Sequence, residues 1–320
     1  MSTITPYELK YGVATREAFG RALVEAAKSN PDIVVCDADL SKSTMVHYFA
    51  KEFPERFFSC GIAEANMVAL GAGLAMAGKI PFVASFSAFV LTKGFEQLRT
   101  TVAYPNVNLK VVGTHSGISI GEDGPSQMSI EDFALAGALP GFWVLSPADE
   151  TCMKAAVLWA VAHQGPVFIR AGRPKAPLVY EAGAAFEFGK AVALRPGADV
   201  TLVATGLLVA EALRAADLLA AEGVSARVLD IHTIKPLDEE TLARAARETG
   251  ALVVAEEHLT DSGLGVRVAQ ALAKHAPAPV EFIGIENRYA ESGTPDGLLD
   301  HYGLRAPQVA AAARRAMARK

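Results

Sequence analysis

At 320 residues the chain is long enough for about two domains of ordinary size, each with its own core. Hydrophobic residues make up 51% and charged residues 20%, with a mean hydropathy of +0.24, a balance that suits buried parallel strands and a large interface better than a lone monomer. A net charge of −5 without a basic cluster argues against nucleic acid as the main ligand, and no apolar run approaches the roughly 20 residues of a membrane span.

Thr15 is expected to cap a helix over 15–28, with Ala18, Phe19, Ala22, Leu23 and Ala26 on one face. Asn30-Pro31 breaks it, and Ile33-Val-Val-Cys36 reads as a short buried strand. The polar loop 37–44 then falls at a strand's carboxyl end, where open α/β sheets bind ligands. A second strand over 57–60 leads into 63–77, a helix that is apolar on every side and therefore expected to be buried all round. Gly71 and Gly73 in its interior suggest close backbone packing. Glu64 is the anomaly there, since carboxylates are rarely buried unless paired. It is either a first-turn acid favoured by the helix dipole or a site residue.

Strands over 80–86, 109–114, 143–145 and 167–170 alternate with helices over 90–102 and 149–163, a pattern that specifies a parallel, doubly wound sheet. Residues 173–189 break the periodicity and are expected as a linker between a first domain (1–172) and a second (190–320). In the second domain, strands over 200–204, 227–231, 252–256 and 280–285 alternate with helices over 208–222, 238–249 and 266–274, and a helix follows Pro307. The fold class is thus α/β, with two doubly wound, mostly parallel sheet domains. Cys36, Cys60 and Cys152 show no CxxC spacing, and the first eight residues lack a leader pattern, so a cytoplasmic protein is expected.

The segment Gly113-Thr-His-Ser-Gly-Ile-Ser-Ile-Gly-Glu-Asp-Gly-Pro-Ser-Gln127 carries four glycines, a proline and two acids. It reads as a ligand-lining loop, a tight structural crossover being the alternative. His115 stands where the preceding strand ends. Phe86 and Phe89 follow the end of another strand and could stack on a flat heterocycle, whereas Phe82 and Phe95 read as core. Arg16, Ser43 and Arg173 lie beside strand ends or helix starts, where arginines grip anions bidentately. Asp230, His232 and Lys235 read as structural.

Gly61-Ile-Ala-Glu-Ala-Asn-Met67, Ser119-Ile-Gly-Glu-Asp-Gly-Pro-Ser-Gln-Met128, Phe168-Ile-Arg-Ala-Gly-Arg-Pro174 and Val228-Leu-Asp-Ile-His-Thr-Ile-Lys-Pro-Leu-Asp238 together resemble the transketolase family. The likeness covers its pyrimidine-binding and C-terminal domains and essentially the whole chain. The family's diphosphate-binding block, a Gly-Asp-Gly motif with a following Asn that ligates a metal, has no counterpart here. The resemblance therefore implies the C-terminal subunit of a split transketolase that needs a separate N-terminal subunit and associates with its own copies.

For the residues, the resemblance implies that Glu64 binds the aminopyrimidine of thiamine diphosphate, Phe89 stacks on that ring, Phe86 forms the adjacent wall and Asp39 lies beside the thiazolium. His115 and Asp123 would meet sugar hydroxyls, with His115 moving protons, and Arg16, Ser43 and Arg173 would clamp a sugar phosphate. Gln127, counted by the resemblance with the cofactor-binding residues, replaces the His of bacterial and yeast members and follows the animal-type pattern. No metal ligand is expected on this chain; Mg or Ca would be held by the partner subunit. The implied reaction moves a two-carbon ketol unit from a ketose phosphate to an aldose phosphate. Two alternatives are a 2-oxo acid dehydrogenase or deoxyxylulose-phosphate synthase type of subunit, and a non-catalytic assembly subunit.

Overall fold

The computed structural model describes residues 6–320; Met1 to Thr5, part of the stretch read for a leader, lie outside them. Its strands in chain order are β1 (Tyr11–Ala14), β2 (Ile33–Asp37), β3 (Phe57–Ser59), β4 (Ile80–Phe86), β5 (Lys110–Thr114), β6 (Trp143–Leu145) and β7 (Val167–Arg170). There follow β8 (Lys175–Pro177), β9 (Val192–Arg195), β10 (Val200–Ala204), β11 (Ala226–Asp230), β12 (Thr233–Lys235), β13 (Leu252–Leu259) and β14 (Val280–Ile285). Runs such as Ile33-Val-Val-Cys-Asp37 are rich in β-branched residues and wholly buried, as strands covered on both faces must be.

The first sheet has seven strands in the order β12-β6-β7-β5-β4-β2-β3, and the second five in the order β14-β13-β10-β11-β9. Most pairings are parallel; β9 joins β11 antiparallel and β12 joins β6 antiparallel. The α/β class with two mostly parallel sheets holds. Strand β12 was not expected: it comes from the second half of the chain yet closes one edge of the first half's sheet. Lys235 secures it by donating to Gly137 O (3.1 Å) and Leu139 O (2.6 Å), carbonyls at the end of helix Asp132–Ala138. Within the stretch expected as a linker, β8 pairs antiparallel with β1.

Several element ends differ from expectation. Thr15 does not cap its helix: Ala14 holds that position, and the Thr15 hydroxyl accepts from Gly172 N at 2.7 Å instead. A tertiary donor at the exit of β7 captured the side chain. The expected helix over 90–102 is a shorter helix, Ser87–Lys93, followed past Gly94 by Phe95–Gln97 and a π-helical turn, Leu98–Ala103. Asp149 and Asp238 do cap, accepting from Cys152 N and Thr241 N.

The all-apolar helix is Glu64–Met76. Within this chain it is not buried all round. Glu64, Met67, Val68, Gly71 and Ala72 face the core, whereas Leu70, Gly73 and Met76 are exposed because no element of the chain covers that side. The two glycines accordingly differ. A Cβ on Gly71 would lie 2.6 Å from Val83 Cγ1 and 2.8 Å from Leu109 Cδ1, while one on Gly73 would meet nothing within 4 Å. Gly71→Ala should therefore destabilise the purified chain by about 1–3 kcal/mol through overpacking. Gly73→Ala should stabilise it by up to about 1 kcal/mol through helix propensity. Urea unfolding midpoints measure both.

Candidate active site

All the parallel strands of the first sheet point their carboxyl ends to one edge, and the candidate residues gather there. Asp39 and Ser43 follow β2, and Phe86 ends β4 with Phe89 one turn into the next helix. His115 follows β5, and Arg173 lies three residues past β7. Arg16 sits in the first turn of helix Thr15–Ser29 and Glu64 opens helix Glu64–Met76.

Glu64 is 3% exposed, and Lys93 Nζ stands 3.5 Å from its Oε1. The same ammonium lies 4.5 Å from the centroid of the Phe89 ring, a cation–π placement. Phe89 stacks on Phe86 with centroids 5.4 Å apart and planes at 17°, and Phe86 stacks on His115 at 3.8 Å and 25°. Arg16 Nη1 then donates to Ser43 O at 2.6 Å and reaches His115 Nε2 at 3.3 Å. One continuous array thus runs from a buried carboxylate, over two aromatic rings and an imidazole, to a guanidinium.

The partners of His115 fix its proton. Arginine only donates, so Nε2 must offer its lone pair and Nδ1 must carry the hydrogen. Thr114 Oγ1, 2.8 Å from Nδ1, accepts that hydrogen and in turn donates to Ser85 O at 3.3 Å. Burial, with the Arg16 and Arg173 charges adding to it, pushes the His115 pKa down from 6.5 to about 3. The backbone here takes φ +57°, a left-handed conformation that costs a histidine on the order of 1 kcal/mol and turns the ring into the site.

Arg16 is depressed from its usual pKa by burial and by Arg173, with Asp123 opposing this, which places all three side chains in one electrostatic neighbourhood. Its Nε is buried and has no hydrogen-bond partner. A cation with an unspent donor is what an anionic ligand would complete. Arg173 bonds through Nη1 to Ile120 O and, at 2.7 Å, to Glu122 Oε2. Asp37, buried at the end of β2, accepts from Leu40 N at 3.0 Å and braces the loop that carries Asp39 and Ser43; burial pushes its pKa up to about 6.

The structure thus brings Glu64, Phe86, Phe89, His115, Arg16 and Ser43 together and sets Arg173 beside them. Asp39 and Asp123 are exposed on the flanking loops, and Gln127 Oε1 accepts from Ser126 Oγ at 2.9 Å. Among the described residues, none of these last three side chains hydrogen-bonds to another candidate. Lys93, Thr114 and Glu122 were not singled out from sequence. A lone cation following Ala88-Phe89-Val90-Leu91 was a readable signal for Lys93. Among the described residues, no group of three His, Cys, Asp or Glu is arranged to hold a metal ion, and no helix is long and apolar enough to cross a membrane.

This architecture is that of a two-sheet α/β protein whose candidate ligand site lies along the carboxyl edge of the first sheet. The family model described as transketolase, pyrimidine binding domain, matches residues 11–178, and that described as transketolase, C-terminal domain, matches 189–309. The chain belongs to the transketolase family. It is 40% identical over 316 residues to a 6-deoxy-6-sulfo-D-fructose transketolase subunit of Clostridium sp., covering 98% of both chains. It is 37% identical to human transketolase over 98% of its own length but 51% of the human protein. Among solved structures, a split gene transketolase, an inactive beta4 tetramer, superposes with a TM-score of 0.91 at 48% identity, over 97% of this chain and 100% of that one.

Nitrogen NMR of the labelled chain should find His115 neutral and protonated on Nδ1 at pH 7, with no further proton bound until pH approaches 3. An unfolded chain binds that proton near pH 6.5, so this residue's contribution to stability is present above 6.5 and is lost as pH falls towards 3. Titration of His115 near 6.5 in the folded chain would contradict the assignment.

Proposed function

We propose that this chain is the C-terminal subunit of a thiamine-diphosphate-dependent transketolase, active with a separate N-terminal subunit and associated with its own copies. The observation that carries the reading is the unbroken array from Glu64 to Arg16 along one sheet edge. The residues fit the cofactor's aminopyrimidine: a buried carboxylate opens a helix beside a half-buried phenylalanine that has a second ring behind it. Glu64 would hold the ring nitrogen, Phe89 and Phe86 would bound the ring, and Asp39 would face the thiazolium. Mg or Ca would be held by the partner subunit with the diphosphate. When bound, the cofactor supplies the nucleophilic carbon that carries a two-carbon ketol unit from a ketose phosphate to an aldose phosphate.

The chain's own side chains do the rest. Arg16, with its free Nε, Ser43 and Arg173 bind the sugar phosphate and fix the sugar's direction in the cleft. His115 is held neutral, so its Nε2 is able to accept a hydrogen bond or a proton from a substrate hydroxyl once the sugar displaces Arg16 from it. Asp123 and Gln127 reach the sugar from the loop tip. An amide does not titrate in this range, so Gln127 would contribute hydrogen bonds only, and His115 Nε2 would assist proton movement on the substrate. Cytoplasmic placement and a phosphosugar substrate class belong to the same proposal.

With the chain reconstituted with its N-terminal subunit, Glu64→Ala should cut turnover by orders of magnitude while leaving the unfolding free energy within about 1 kcal/mol of the parent. Arg16→Ala and Arg173→Ala should chiefly raise KM for phosphorylated donors. Use of ketose phosphates and not pyruvate as donor separates this reading from a 2-oxo acid dehydrogenase or deoxyxylulose-phosphate synthase type. A complex whose activity is indifferent to Glu64 would mark the chain as an assembly subunit.

A further inference from the structure

Just before its last residue, Leu259, strand β13 carries three consecutive buried ionisable residues, Glu256, Glu257 and His258, with exposures of 1%, 3% and 0%. They belong to the second half of the chain and take no part in the array above. Two have evident structural employment. Glu256 caps the next helix, accepting from Leu264 N at 2.7 Å and Gly265 N at 2.8 Å. His258 Nε2 accepts from Phe133 N at 3.2 Å, which leaves Nδ1 to donate to Leu259 O at 3.0 Å.

Glu257 faces elsewhere. Its Oε1 accepts from the backbone N–H of Ser119, inside the glycine-rich loop. Gly117, two residues earlier, takes φ +79°, and a Cβ there would lie 2.2 Å from the Glu257 carboxyl carbon, so only glycine fits. The loop is pinched at this point: Gly117 N donates to Ser129 O at 2.8 Å, and Leu259 N donates to Ile130 O at 3.0 Å. Arg170 completes the joint, donating to Glu257 O at 2.8 Å and to Asp132 Oδ2 at 2.7 Å. His115 lies just before this neck, and Asp123 and Gln127 lie beyond it.

We propose that Glu257 is a positioning residue through which the C-terminal half sets the conformation of the loop that carries His115, Asp123 and Gln127. Gly117 N finds its acceptor inside the first half, at Ser129 O, whereas Ser119 N takes its acceptor, Glu257, from the other half of the molecule. The second half of the chain is then part of the site's construction. The consequence for sugar binding rests on the function proposed above; the anchoring itself does not.

The test pairs amide hydrogen exchange on the full-length chain with kinetics of the reconstituted complex, for Glu257→Asp, Glu257→Gln and Glu257→Ala. The aspartate keeps the charge but withdraws the acceptor by one methylene, and the glutamine keeps an acceptor in place. Exchange at 117–131 should quicken at least tenfold in the aspartate and alanine variants, with helix Thr15–Ser29 unchanged, and stay near the parent rate in the glutamine variant. KM for the sugar phosphate should rise about tenfold or more in the same two variants with kcat changed less, and glutamine should recover most of it. Unchanged exchange at 117–131 in the aspartate variant, or a rise spread evenly over the chain, would overturn the anchoring role. Quickened exchange with an unaltered KM would overturn the link to substrate while leaving the transketolase reading intact. Should the alanine variant fail to fold, the aspartate and glutamine variants decide.

Discussion

Desolvation of ionisable groups along one sheet edge is the constraint that shapes this molecule. Glu64, Asp37 and His115 at that edge, and Glu257 facing it from the second sheet, are all withdrawn from water, and a buried charge without partners is costly. Each is met by a different device. Lys93 stands over Glu64, backbone amides close on Asp37 and Glu257, and burial with the Arg16 and Arg173 charges keeps His115 neutral while Thr114 accepts from its Nδ1. A parallel sheet makes such an edge possible. Its strands all deliver their loops to the same side, so groups far apart in sequence are desolvated together.

The two halves of the chain share this edge more closely than a two-domain description suggests. β12 completes the first sheet, Lys235 holds the end of a helix beneath it, and Glu257 enters the neck of the loop that flanks His115. The outer side of helix Glu64–Met76 remains apolar and uncovered within the single chain. That oily face adjoins the Glu64 mouth. It gives association with other copies or subunits a physical basis, since covering it removes apolar surface from water.

Much of the fold could be read from the chain. Val200–Ala204 and Ile80–Phe86 are continuous apolar runs bounded by polar or breaking residues, and they fall where the pattern put them. β12 was unreadable because three residues carry too little pattern, and its partner, β6, lies some 90 residues away. The site followed the same logic. Glu64 and the Phe86–Phe89 pair were visible as local anomalies, and Arg16 and Arg173 stood out beside strand ends or helix starts. Lys93 had a weak local signal. Glu257 had none, because its acceptor role depends on an amide 138 positions earlier in sequence. Local pattern reports local burial; it is silent about which distant donor a buried carboxylate will meet.

The strand that crosses from one half to the other also limits how the molecule could be divided. Severing the polypeptide after Arg170 or anywhere up to β9 would strip Trp143–Leu145 of its antiparallel neighbour and leave a raw backbone edge, open to pairing with another chain. The second half of the chain is thus what covers that edge of the first sheet, a backbone pairing that reaches across residues 173–189.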